Sequence, residues 1–142
     1  MLGAIIGDIV GSIYEWNNVK SKDFPLFTER SSFTDVSVLT CAIANAIICG
    51  TEYRENLIQF ARLFPGRGYG SGFSRWVGGA YDGYPEYQSC GNGSAMRVSP
   101  VGWAFNSVEK VLTVLAAPVG AYNNMRIWPL RMRSYSFLIS SC

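Results

Sequence analysis

The 142-residue sequence predicts a mostly helical chain, and three observations carry that prediction. Leu2, Ile5, Ile6, Ile9, Val10 and Ile13 recur at three-and-four spacing, as do Tyr53, Leu57, Phe60, Ala61 and Phe64; such spacing gathers apolar side chains on one helical face. Between these segments, Val36 to Cys49 contains no charged residue, which describes a helix buried on nearly every side. The stretch from Gly66 to Gly93 is too rich in glycine for regular strands.

Taken in order, the first helix spans Leu2 to Trp16, and Gly3, Gly7 and Gly11 on every fourth position let another backbone approach closely. Asn17 to Ser32 is polar, contains Pro25 and makes a surface connection. The buried helix follows, central to the core. Thr51 and Glu52 open a third helix, with Arg54, Glu55, Gln59 and Arg62 on its outer face, and Pro65 ends it. Two glycine-rich loops, interleaved with Tyr69, Tyr81, Tyr84 and Tyr87, flank a short helix near Phe73 to Val77. Pro100 to Phe105 and Val108 to Leu115 read as short helical pieces, with Ser107 as N-cap of the second. Ala116 to Cys142 shows neither helical period nor alternation.

Composition narrows the function classes. A net charge of +2 is too small to argue for nucleic acid or an anionic membrane surface. No stretch reaches the roughly 18 apolar residues of a membrane span, and the N-terminus lacks the basic region of a signal peptide. Cys41, Cys49, Cys90 and Cys142 form no Cys-x-x-Cys pair, and there is no histidine to complete a zinc set or a nucleophilic triad. Free thiols in a cytoplasmic, reducing setting are expected. Charged residues are 15% of the chain, against roughly 25% in soluble domains, which points to missing polar surface or a missing partner. All ten acidic residues lie at or before Glu109, so the last segment, with Lys110, Arg126, Arg131 and Arg133, is acid-free.

Three segments carry candidate chemistry. Thr34 and Asp35 stand where a loop enters the buried helix; their oxygens either cap that helix or ligate a hard cation such as Mg²⁺. The loops Gly66 to Gly72 and Gly91 to Pro100 offer backbone N–H groups without side chains in the way, suited to a diphosphate, or equally to ordinary turns. Arg67 and Arg97 either assist a phosphate or form structural pairs. Glu15, at the end of the first helix, is a gate or general base on one reading and solvated surface on the other.

The order Gly7-Asp8 through Glu15, then Phe33-Thr34-Asp35, then Gly-Arg-Gly-Tyr-Gly (Gly66 to Gly70), then Gly-Asn-Gly-Ser-Ala-Met-Arg-Val (Gly91 to Val98) resembles the ADP-ribosylglycohydrolase family over about residues 1 to 112. The resemblance implies the N-terminal part of an all-α fold, truncated, with hydrolysis of the glycosidic bond of ADP-ribosylated substrates by a Mg²⁺-positioned water. It implies Thr34 and Asp35 as metal ligands and Glu15 as the catalytic carboxylate. Gly68, Gly70, Ser71, Gly72, Asn92, Gly93 and Ser94 are then the residues that line ADP-ribose. In this family the metal lies between a Thr-Asp-Asp segment and an acidic cluster far downstream. Here Val36 replaces the second Asp and Ser37 a Thr. Beyond Leu112 the family continues with histidines and that acidic cluster, which this chain lacks. The expected organisation is a partial domain at 1–112 and an unpatterned tail at 113–142, for which a frameshift near residues 113 to 117 accounts. The expected chain is therefore inactive as a hydrolase. Its alternatives are a non-catalytic ADP-ribose-binding module and a remnant without function.

Overall fold

The computed structural model describes residues 1–79 and 92–114. Among them every regular element is helical: α1 (Leu2–Gly11), α2 (Asp35–Cys49), α3 (Tyr53–Leu63), α4 (Ser71–Val77), α5 (Gly93–Met96), α6 (Ser99–Ala104) and α7 (Val108–Val114). The fold is all-α. Tyr81, Tyr84, Tyr87, Cys90 and the tail from Leu115 lie outside the described residues.

α2 is the hub, and α1, α3, α5 and α6 all pack against it. Its charge-free sequence permits this, because a helix with no polar stripe gains by meeting neighbours on several sides. Leu39, Ala42 and Ile43 of α2 meet Leu57 and Ala61 of α3, Phe73 and Trp76 of α4, and Val101 of α6 in one core. Burial fades toward the C-terminal end of α2, where Ile48 is exposed. There Gly50 adopts φ 64°, and its N–H closes on the Ala46 carbonyl. Thr51 N–H reaches the same carbonyl at 3.1 Å, so a left-handed cap satisfies an end that would otherwise leave carbonyls orphaned.

The α2–α3 pair is also tied by polar groups that helical periodicity does not reveal. Asn45 Nδ2 donates to Asn56 Oδ1 at 2.7 Å, and Asn56 Nδ2 donates to Thr51 Oγ1 at 2.8 Å and to the Glu52 carbonyl at 2.9 Å. Asn56 is buried, and burying its amide is tolerable because these partners replace water.

Several boundaries differ from the sequence expectation. α1 stops at Gly11 instead of reaching Trp16, because the Ser12 hydroxyl bonds back to the Ile9 carbonyl at 2.8 Å and Tyr14 N–H closes a tight turn on Gly11 at 2.9 Å. Such side-chain bonds to the backbone compete with helix continuation. Among the described residues the close backbone approach expected at Gly3, Gly7 and Gly11 is not found, since none of them packs within 4 Å of a Cβ placed there. α1 also leaves Leu2 and Ile6 exposed. α4 begins two residues earlier than Phe73, at Ser71. Ser107 Oγ accepts the Lys110 N–H at 3.1 Å, the cap expected for α7.

Gly50→Ala tests the α2 cap. Among the described residues a Cβ there meets no neighbour within 4 Å, so the expected effect is conformational, and urea denaturation should show a loss of about 1–2 kcal/mol. An unchanged midpoint would mean that the left-handed turn is not required.

Candidate active-site cleft

The first turn of α2 organises the polar side of the molecule. Thr34 is its N-cap in extended geometry, and the Thr34 hydroxyl accepts the Val36 N–H at 3.4 Å. That hydroxyl also donates to Asp8 Oδ1. Asp8 Oδ2 accepts Thr34 N–H at 2.8 Å, Ser37 N–H at 3.1 Å and the Ser37 hydroxyl at 2.6 Å. Asp35 N–H donates to the Arg67 carbonyl at 2.7 Å, which ties the glycine-rich loop before α4 to the same turn. The Arg67 guanidinium lies 3.8 Å over the Phe33 ring and donates to Ser32 Oγ at 3.1 Å. Of the two readings open for Arg67, the structural pair is the one found. Gly66 and Gly68 take φ 72° and 87°, which bends this loop in a conformation that residues with a Cβ rarely adopt.

Between these elements opens a cleft of about 470 Å³, within the size range of small-molecule sites. Glu15, Asp35, Gly68, Gly70, Ser71, Gly72, Asn92 and Gly93 line it. All of these are sequence candidates, drawn from four segments distant in the chain. Thr34 and Ser94 do not line it: Thr34 turns its hydroxyl to Asp8, and Ser94 is buried. Val36, Leu39, Phe73 and Met96 add apolar wall, and Arg97, fully buried, adds a cation. On the far side of Phe73 a second hollow of about 430 Å³, lined by Arg62 and Tyr69 among others, has no carboxylate among its described lining.

Asp35 is the electrostatic centre of the cleft. Its carboxyl is pushed up from 3.8 to about 6, first by burial, which penalises the charged form, and then by the negative charges of Glu15 and Asp8. Hydrogen bonds from Thr34 and the Val36 amide act the other way. Tyr69 is pushed up to about 12 by burial and by Asp35, with Arg67 opposing; its hydroxyl donates to the Phe64 carbonyl at 2.8 Å.

Mg²⁺ asks for near-octahedral oxygen coordination, largely from carboxylates and water. Asp35 and Glu15 offer carboxylates to the cleft, whereas the Val36 side chain beside them has no lone pair and Asp8 is turned to α2. Among the described residues, no group of three or more Asp, Glu, His or Cys stands together as a metal set. The described residues therefore do not make up a magnesium shell by themselves.

Asp8 was not among the sequence candidates, although it lies in the Gly7 to Glu15 motif. The available signal was the Thr34-x-x-Ser37 spacing, which marks a helix start whose amides need an outside acceptor. Val36, Leu39, Phe73 and Met96 carry no polar signal and enter the cleft only through packing.

The fold and cleft define an all-α protein with two carboxylates facing glycine-rich walls across one cavity. The chain belongs to the ADP-ribosylglycohydrolase family, whose model matches residues 1–123. That match extends past residue 112. No curated protein and no solved structure matches the chain.

The raised Asp35 carboxyl makes a pH prediction. The folded chain holds this proton more tightly than the unfolded chain, so the stabilisation is fully present below about pH 3.8 and is lost as pH rises through about 6. Thermal melts of wild type and Asp35→Asn across that window should show wild type losing ground to the variant as pH rises. Solvent screening in the open cleft limits the change to the order of 1 kcal/mol. A difference that stays constant with pH would show that Asp35 ionises normally.

Proposed function

We propose that this cleft receives the ADP-ribosyl group of ADP-ribosylated substrates, and that the chain derives from hydrolases of the glycosidic bond at that group. The observation that carries the reading is the convergence of Glu15, Asp35 and both glycine-rich segments on one cavity. In this reading the bare amides around Gly68, Gly70 and Gly93, with Ser71 and Asn92, take the diphosphate and ribose, since successive unblocked N–H groups suit phosphate oxygens. Arg97 adds positive charge from within the wall. Asp35 and Glu15 face the ribose, where hydrolysis replaces the glycosidic bond at C1′ by a hydroxyl and returns a proton to the departing acceptor atom. A carboxyl pushed up to about 6 is suited to exchanging protons near neutral pH.

Magnesium belongs to the same proposal as the cofactor that Thr34 and Asp35 help to hold in the intact family site. Val36 argues that this chain binds without turning over, because an apolar residue stands beside Asp35 on the cleft wall. We therefore favour an ADP-ribose-binding protein with hydrolysis suppressed. A cytoplasmic setting is part of the proposal and is supported by the free thiols of Cys41 and Cys49, the latter exposed, since exposed thiols persist in reducing compartments.

Calorimetry tests the reading. Wild type should bind ADP-ribose with little response to added Mg²⁺, whereas Val36→Asp should gain about tenfold in affinity when Mg²⁺ is present, as an added carboxylate completes more of the shell. Release of ADP-ribose from a modified protein should be absent in wild type. No binding heat from either protein at millimolar ADP-ribose would refute the assignment.

A further inference from the structure

We propose that Asp8 is the positioning residue of the cleft, setting where Asp35 stands by holding the first turn of α2. A helix start leaves its first N–H groups without intrahelical partners. Here each amide from Thr34 to Ser37 has a named acceptor. Asp8 takes Thr34 and Ser37, the Thr34 hydroxyl takes Val36, and the Arg67 carbonyl takes Asp35. Asp8 also accepts the hydroxyl protons of Thr34 and Ser37. Oδ2 takes three of these donors and Oδ1 one, so a single carboxylate serves two amides and two hydroxyls of this one turn.

Two consequences follow. Asp8 is not among the residues that line the cleft, so it acts through α2 and not on substrate. Asparagine is a poor substitute for it, because its –NH₂ cannot accept, so at least the hydroxyl proton of Thr34 loses its acceptor, and the amide lacks the charge that strengthens the other bonds. The carboxylate also joins three segments at one point: α1 supplies Asp8, the turn receives it, and the next amide of that turn anchors the glycine-rich loop through Arg67. Displacing Asp8 therefore shifts Asp35 and the facing wall together.

The functional half of this inference rests on the proposed ADP-ribose site, so the test has one arm that needs no ligand. Amide hydrogen exchange is followed by NMR in ligand-free wild type, Asp8→Asn and Asn45→Ala, the last cutting the α2–α3 tie at the other end of α2. Exchange in Asp8→Asn should rise about tenfold at Thr34, Asp35 and Ser37 relative to wild type, with core Leu57 nearly unchanged. Asn45→Ala should leave the three amides at wild-type rates. In the second arm, ADP-ribose affinity should fall about fivefold or more in Asp8→Asn and stay within about twofold of wild type in Asn45→Ala. Unchanged exchange at the three amides overturns the inference, as does faster exchange with wild-type affinity. A wild type that binds no ADP-ribose defeats the proposed function, while exchange at Asp35 still decides whether Asp8 sets its place.

Discussion

The first turn of α2 is where a helix built for the core opens onto a polar cavity, and its unmade hydrogen bonds constrain everything around it. Leaving a buried amide unpaired costs on the order of 1–3 kcal/mol, and the four first-turn groups from half-buried Thr34 to buried Ser37 have no acceptor within the helix. The chain supplies acceptors from α1, from the Thr34 side chain and from the loop before α4. Each acceptor brings its own segment into place. The cleft is thus a by-product of satisfying one helix end, with Asp35 held at its edge.

That solution concentrates negative charge. Asp8 and Glu15 both act on Asp35, and burial adds to their effect. A further carboxylate at position 36 would deepen the repulsion unless a cation offset it. Val36 avoids this and extends the apolar wall formed with Leu39, Phe73 and Met96. In the proposed function, binding by the glycine-rich walls is separate from turnover at the carboxylates.

Much of the fold was legible because its signals are local. The charge-free run from Val36 to Cys49 and the amphipathic spacing after Tyr53 give α2 and α3 nearly to the residue. α1 was overextended because the Ser12–Ile9 bond and the Tyr14–Gly11 turn end it, and no periodicity encodes either. Within the cleft, the order of the motifs pointed to Asp35 and both glycine segments, since each motif is contiguous. Asp8 escaped notice because its partners lie 26 and 29 residues away. The role of Arg67 depended on Phe33 packing beneath it, a contact fixed only when the loop folds back.

The central claim is that one cavity, bounded by Asp35 and the two glycine-rich segments, takes ADP-ribose. Titrating the isotope-labelled chain with ADP-ribose and following backbone amide shifts tests it most directly. The account predicts perturbations at Asp35, at Gly68 to Gly72 and at Asn92 and Gly93, with Arg62 and Gly78 on the opposite hollow unmoved. Shifts confined to that hollow, or none at saturating ligand, would contradict it.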